Sequence, residues 1–117
     1  MKKILIVEDQ KSLLLLYEEE LTKEGYEVVG VADADAGLEA LKKARFDLFV
    51  TDIRMPGKDG IELITQIMGQ RKDIPIIINT AYQSHKGDFM TWAADAYVVK
   101  SSSLKELKAK IKELLKK

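Results

Sequence analysis

Cysteine is absent from this chain of 117 residues, so neither a disulfide framework nor a thiolate metal site can form. The absence fits the reducing conditions of a cytosol. No apolar stretch reaches the length that a membrane span requires. The opening segment MKKILIVED has only four consecutive apolar residues, too few for the core of a secretory signal peptide. We therefore expect a soluble, cytoplasmic protein without a membrane partner.

An excess of one charge is also absent, because 19 basic residues balance 19 acidic ones. This balance argues against bulk electrostatic attraction to nucleic acid or to an anionic membrane. The charges are unevenly placed, since residues 100–117 contain seven lysines and two glutamates. That segment has amphipathic helical spacing, but neither aromatic residues nor a recognition motif accompany it. We predict no direct contact with nucleic acid.

Short apolar runs alternate with longer segments of helical character, and the 46% hydrophobic content suffices for the core of one domain, residues 1–117. The apolar runs are rich in β-branched residues and predict strands. These predicted strands are residues 4–7, 26–31, 47–51, 76–78 and 97–99. Helices are predicted at residues 10–24, 35–44, 60–70, 83–93 and from Ser103 onward.

Two helix boundaries have clear local signals. Gly25 is placed to end the first helix in the C′ position. The segment Ser103-Leu104-Lys105-Glu106 is a capping box and predicts the start of the last helix. Among the leucines at 13–16 of the first helix, not all can face the core, and Leu15 is the one that we expect to be exposed.

Five successive strand–helix units predict an α/β fold. Continuous apolar strands indicate a parallel sheet that is covered on both faces. Right-handed crossovers leave few topologies, of which the doubly wound, flavodoxin-like strand order 2-1-3-4-5 is favoured.

Polar residues follow four of the five predicted strands. The first strand ends at Glu8-Asp9, the third at Asp52, the fourth at Thr80 and the fifth at Lys100. Because the carboxyl ends of parallel strands meet at one edge of the sheet, we expect these groups to converge there. Asp52 directly follows a buried strand, so its charge needs a partner.

The converging charges point to a metal ion and a phosphate. Three carboxylates and one ammonium group leave about two negative charges, which a hard divalent cation balances. Mg²⁺ prefers one or two carboxylates, water molecules and a substrate phosphate. The Thr80 hydroxyl and the Lys100 ammonium group suit phosphoryl oxygens. Asp52 is the candidate acceptor, because aspartate forms aspartyl phosphate in phosphoryl transfer.

With these residues the chain resembles the receiver domains of two-component response regulators along essentially its whole length. The resemblance rests on Glu8-Asp9, the segment DIRMPGKDG at 52–60, Thr80-Ala81 and the segment DAYVVK at 95–100. Gln10 and the run Thr80-Ala81-Tyr82 are similar to single-domain phosphorelay regulators of the sporulation type.

The resemblance implies that Asp52 accepts a phosphoryl group from a histidine kinase or a histidine phosphotransfer protein. It implies Mg²⁺ ligated by Asp9, Asp52 and the backbone carbonyl of Arg54, with Glu8 acting through water. Lys100 is implied to bind a phosphoryl oxygen. Such a domain catalyses its own phosphorylation and slow autodephosphorylation, and it is not an enzyme in the turnover sense.

The resemblance also implies a conformational switch for binding a downstream protein. Thr80 would move to the phosphoaspartate, and Tyr97 occupies the position of the switch aromatic. Arg54 and Tyr82 hold positions that tune hydrolysis of the phosphoaspartate, or they are ordinary loop side chains. The first helix of receivers docks the histidine-bearing partner, so exposed Leu15 has either that role or none.

The chain departs from the family pattern at three places. Glu8 stands where a second aspartate is usual, Ser101 replaces the proline after the lysine, and Ala93-Ala94 replaces a segment with glycine. The missing proline leaves a second interpretation open, namely a pseudo-receiver that binds proteins without being phosphorylated. The chain is either a stand-alone regulator or a fragment of one with an output domain.

Two other classes fit the residues less well. A haloacid-dehalogenase-like phosphatase needs an aspartate two residues after the nucleophile, where this chain has Arg54. A nucleotide or flavin site needs a glycine-rich loop after the first strand, where Glu8-Asp9-Gln10 stand instead.

Overall fold

The computed structural model describes residues 1–52, 74–80, 95–100 and 103–116. Five strands and three helices lie in these ranges, and each begins within two residues of its predicted position. The strands are β1 (Lys3–Val7), β2 (Glu27–Val31), β3 (Leu48–Thr51), β4 (Ile76–Thr80) and β5 (Ala96–Val99). The helices are α1 (Lys11–Lys23), α2 (Ala34–Lys43) and α3 (Lys105–Leu115). The helices predicted at 60–70 and 83–93 lie outside the described residues.

The strands form one parallel sheet in the order β2-β1-β3-β4-β5, which confirms the predicted topology. The register keeps the carboxyl ends of the strands level. Val7 lies opposite Thr51, and Thr51 lies opposite Ile78. The residues that follow β1 and β3 therefore emerge side by side.

Side-chain alternation along the strands divides the core into two layers. One layer lies between the sheet and helices α1 and α3, and we call it the α1 face. Its buried residues are Ile4, Ile6, Leu14, Tyr17, Leu21, Leu48, Val50, Ile77, Ala96, Val98, Leu107 and Ile111. The other layer, the α2 face, includes Leu5, Val7, Leu38, Phe49, Ile78 and Tyr97. Both faces of the sheet are covered, which explains the uninterrupted apolar strands.

Helix α1 ends in a Schellman motif. The Gly25 N–H donates to the Thr22 carbonyl at 3.0 Å, and the Tyr26 N–H donates to the Leu21 carbonyl at 3.3 Å. Gly25 has a φ of +97°, in the left-handed region that favours glycine. The prediction that Gly25 ends this helix is confirmed.

Helix α3 begins two residues after its predicted start. The Oγ of Ser103 accepts a hydrogen bond from the Lys105 N–H at 3.2 Å. The N-cap residue is Leu104 and not Ser103, so the predicted capping box of Ser103 and Glu106 is wrong by one position. Leu104, with φ −93° and ψ 8°, precedes the first helical residue. Across the four described segments, every helix is too short or too polar to cross a membrane.

Candidate phosphoacceptor site

Glu8, Asp52 and Lys100 meet at the carboxyl end of the sheet. The Lys100 Nζ lies 2.7 Å from Glu8 Oε1 and 2.7 Å from Asp52 Oδ2. The side chains of Glu8, Asp52 and Lys100 are only 1%, 8% and 13% exposed. Charges this far removed from water require close partners of opposite sign. One ammonium group therefore serves two carboxylates.

The backbone brings these side chains together. Glu8 follows β1 and Asp52 follows β3, one position beyond the opposed pair Val7 and Thr51. Alternation places both side chains on the α1 face. The Lys100 N–H donates to the Thr80 carbonyl at 2.7 Å, which extends the pairing of β4 and β5 by one residue.

Two short-range hydrogen bonds hold the Glu8 carboxylate and the Asp52 backbone. The Gln10 N–H donates to Glu8 Oε2 at 3.1 Å, which leaves Oε1 for Lys100. The Thr51 hydroxyl donates to the Asp52 carbonyl at 2.9 Å, at the point where the chain leaves β3.

Burial and pairing act in opposite directions on these groups. Burial raises the pKa of Glu8, although hydrogen bonds from Lys100 and Gln10 partly oppose it. Burial alone would lower the pKa of Lys100, but hydrogen bonds to Asp52 and Glu8 outweigh burial and the pKa is raised. Lys100 therefore stays charged at neutral pH.

The other predicted site residues occupy different positions. Asp9 follows Glu8 but is exposed. Thr80 is fully buried at the end of β4, and Tyr97 is buried in the α2 face. Arg54 and Tyr82 lie outside the described residues.

Two further polar residues lie beside this cluster. Tyr17 on α1 and Asn79 on β4 are 3% and 4% exposed. Sequence reasoning did not single out either residue. The available signal was the amide of Asn79, which interrupts the apolar run Ile76-Ile77-Ile78.

The donor set fits a hard cation that keeps much of its water. Among the residues that the structure describes, no three carboxylate or imidazole groups converge closely enough to hold a metal by themselves. Glu8 and Asp52 supply carboxylate oxygens, and Asp9 adjoins them in the chain. Few protein ligands, several waters and a phosphate are the set that Mg²⁺ prefers.

A family model of the response regulator receiver domain matches residues 4–112. The chain belongs to this family. It is a receiver domain of response regulators, as the sequence predicted.

Relatives of this receiver domain include response regulators. Response regulator ArlR of Staphylococcus epidermidis is 38% identical over 120 residues, covering 99% of this chain and 53% of ArlR. The chain spans about half the length of the curated relatives it matches.

Solved structures share both fold and sequence with this receiver domain. Response regulator TrrA from Thermotoga maritima, in complex with Mg(2+)-BeF, is 43% identical with a TM-score of 0.92, covering 98% of this chain and 100% of TrrA. In a second structure TrrA is in complex with the histidine kinase ThkA, with 43% identity and a TM-score of 0.90, covering 98% of this chain and 99% of that one.

Proposed function

We propose that Asp52 accepts a phosphoryl group from the phosphohistidine of a histidine kinase or a histidine phosphotransfer protein. The observation that supports this most is the Asp52 carboxylate, buried at a strand end and held 2.7 Å from the Lys100 ammonium group. The receiver unit spans residues 1–117 and is cytoplasmic. The complexes of TrrA with Mg(2+)-BeF and with ThkA support the same reading.

In the transfer, an oxygen of Asp52 forms a bond to phosphorus while the bond between phosphorus and the donor's imidazole nitrogen breaks. The electron pair of that bond stays on the imidazole. Lys100 then exchanges its contact with the carboxylate for a phosphoryl oxygen, and the Thr80 hydroxyl donates to another. Positioning and charge neutralisation supply most of the catalysis in such reactions.

Mg²⁺ is the cofactor that we propose for this step. Asp52, Asp9 and the Arg54 carbonyl would hold it directly and Glu8 through water. When bound, it neutralises charge on the phosphoryl oxygens. The ion pair of Glu8 with Lys100 is a contact that metal binding would have to loosen, because both cations use the same carboxylates.

Helix α1 offers a surface for the histidine-bearing partner. Leu15 and Leu16 are 57% and 41% exposed, so the predicted exposure of Leu15 is confirmed and Leu16 is exposed as well. A groove of about 250 Å³ adjoins Leu16 and runs between α1 and α3. Its walls are Leu16, Glu20, Ser103, Leu104, Lys105 and Lys108. We propose that the donor protein lays an apolar helix face against Leu15 and Leu16.

Phosphorylation would then shift the domain between two states for binding a downstream protein. The two residues that would change position are Thr80, buried at the carboxyl end of β4, and Tyr97, buried in β5. Arg54 and Tyr82 would tune how fast the phosphoaspartate hydrolyses. The domain reacts once per signal and dephosphorylates slowly, so it is not a turnover enzyme.

Intact-protein mass spectrometry tests this proposal. After incubation with Mg²⁺ and a small phosphodonor, the wild-type chain should gain the mass of one phosphoryl group. Asp52→Ala should gain none, and Asp35→Ala, which removes an exposed carboxylate on α2, should react like the wild type. A wild-type chain whose mass never changes would favour a protein-binding pseudo-receiver. Labelling that persists in Asp52→Ala would place the acceptor elsewhere.

A further inference from the structure

Glu8 and Lys100 meet across most of the width of the sheet. Glu8 follows β1 and Lys100 follows β5, with β3 and β4 between them. The strands β1 and β5 are therefore about 14 Å apart, and only two long side chains that reach toward each other can pair across this distance. The Glu8 Oε1 and Lys100 Nζ atoms lie 2.7 Å apart. This ion pair therefore depends on the length of both side chains.

The contact requires a glutamate at position 8. Aspartate is shorter by one carbon–carbon bond, about 1.5 Å. From the same backbone position its carboxylate would lie about 4 Å from the ammonium group, which is too far for a hydrogen bond. The Gln10 N–H donates to Glu8 Oε2 at 3.1 Å and so orients the carboxylate with Oε1 toward Lys100. The direct bond to Lys100 thus follows from the extra methylene of Glu8.

Lys100 and a divalent cation compete for the same carboxylates. The ammonium group contacts both Glu8 and Asp52, the two buried carboxylates to which we assign Mg²⁺. A second cation close to the ammonium group is repelled, and in a buried site water and salt screen this repulsion poorly. A water on Mg²⁺ that donates to Glu8 would also compete with Lys100 for the carboxylate. Binding of Mg²⁺ at Glu8 therefore requires Lys100 to move away from it.

We propose that the ion pair of Glu8 with Lys100 sets the Mg²⁺ affinity of the site, because the ammonium group must leave Glu8 before the cation can bind there. This inference rests on the proposed function of Asp52, and it makes Glu8 a positioning residue for Lys100. The released side chain keeps its backbone anchor, the 2.7 Å bond from the Lys100 N–H to the Thr80 carbonyl. Binding of the metal thus frees Lys100 for a phosphoryl oxygen at Asp52.

A double-mutant cycle tests the pair. Glu8→Asp keeps the charge and shortens the side chain, Lys100→Met removes the ammonium group, and the double variant combines both changes. Glu39→Asp is the matched control, because it shortens an exposed glutamate of α2 whose carboxylate lies 3.6 Å from the Lys42 ammonium group. Isothermal titration calorimetry with Mg²⁺ gives the Kd of each chain, and urea denaturation shows that each chain is folded.

We expect Glu8→Asp to bind Mg²⁺ roughly tenfold more tightly than the wild type, the effect of one charge-assisted hydrogen bond. In the Lys100→Met background the same shortening should change the Kd by less than about twofold, since the contact that it breaks is already absent. Glu39→Asp should bind Mg²⁺ like the wild type. An effect of Glu8→Asp that persists in Lys100→Met would mean that Glu8 acts on the metal directly, and it would overturn the inference.

Nitrogen-15 NMR of the Lys100 ammonium group supplies a readout in the wild-type chain, with the signal assigned by its loss in Lys100→Met. Saturating Mg²⁺ should shift this signal and speed the exchange of its protons with water, because the contact with Glu8 opens. A signal that Mg²⁺ leaves unchanged, in a chain that is phosphorylated at Asp52, would overturn the inference alone. A wild-type chain that neither binds Mg²⁺ nor gains a phosphoryl group would overturn the proposed function, and this inference with it.

Discussion

At the scale of single residues, the Lys100 ammonium group pairs with two buried carboxylates, those of Glu8 and Asp52. Sequence reasoning placed Glu8, Asp52 and Lys100 at one end of the sheet, because the ends of parallel strands meet there. It assigned Glu8 a role through water and did not anticipate its direct contact with Lys100. That contact depends on the rotamer of Glu8, which the Gln10 N–H fixes, and rotamers are not readable from residue spacing.

Replacing Lys100 by methionine should show how much the shared ammonium group stabilises the fold. We expect Lys100→Met to lower the free energy of unfolding by about 3 kcal/mol at pH 7, because two buried carboxylates lose their counter-charge. The loss should shrink toward acidic pH, because burial raises the pKa of Glu8 and a proton on this carboxyl group can replace the ammonium group. Urea denaturation at pH 7 and pH 5 measures both effects.

Lys112→Met is the control for this experiment, since Lys112 is exposed in the last turn of α3. It should change stability by less than about 0.5 kcal/mol. Equal stability of Lys100→Met and Lys112→Met would mean that the carboxylates do not depend on Lys100. Addition of Mg²⁺ should restore part of the loss in Lys100→Met if the metal binds the same carboxylates.

At the scale of elements, the end of a helix or strand was predicted correctly where a residue with a specific local role marks it, and less well where none does. Gly25 has a single structural reason to end α1, namely its positive φ, so its signal was clear. Strand β4 extends two residues beyond its prediction, through Asn79 and Thr80. Polar residues weaken a strand pattern, and these two residues do not continue the apolar run of 76–78.

Gly25→Ala should destabilise the fold through the end of α1 alone. A Cβ at this position would meet no atom within 4 Å, so the cost comes from the left-handed backbone, at about 1–2 kcal/mol. Gly25→Asn should cost less, because asparagine tolerates this region better. Thermal unfolding of the two variants gives the order. An alanine variant as stable as the wild type would mean that the Schellman motif does not constrain the helix end.

The leucine run of α1 offers a test of which side chains support the core. Leu14→Ala should lower the free energy of unfolding by about 3 kcal/mol, because it empties space in the α1 face. Leu15→Ala, one residue on and exposed, should cost less than about 0.5 kcal/mol. Urea denaturation compares the pair directly. Similar losses in both variants would contradict the placement of Leu15 on the surface.

At the scale of the whole molecule, topology was the most predictable feature. Apolar strands require two covered faces, and right-handed crossovers then leave few topologies. The favoured order among them, β2-β1-β3-β4-β5, is the one that the sheet has. The burial of Asn79 together with Tyr17 could not be foreseen in the same way. It depends on how far α1 slides along the sheet, which many weak packing contacts decide together.

Alkaline pH should lower the stability of the whole fold. Lys100 has a raised pKa, so its ion pairs contribute fully below its ordinary pKa and are lost as pH rises through the folded value. Tyr17 also has a raised pKa, because burial disfavours the phenolate, and the folded state then binds this proton more tightly than the unfolded state. Both effects make the free energy of unfolding fall above about pH 10.

Tyr17→Phe isolates the tyrosine part of this alkaline effect. Urea denaturation at pH 7, 9 and 11 should show a shallower decline for Tyr17→Phe than for the wild type, because the variant has no buried phenol to ionise. The decline that remains in Tyr17→Phe should include the part due to Lys100. Lys100→Met should therefore also show a shallower fall of the free energy of unfolding with rising pH. Identical slopes for the wild type and Tyr17→Phe would mean that burial does not hold the hydroxyl of Tyr17 neutral in the folded state.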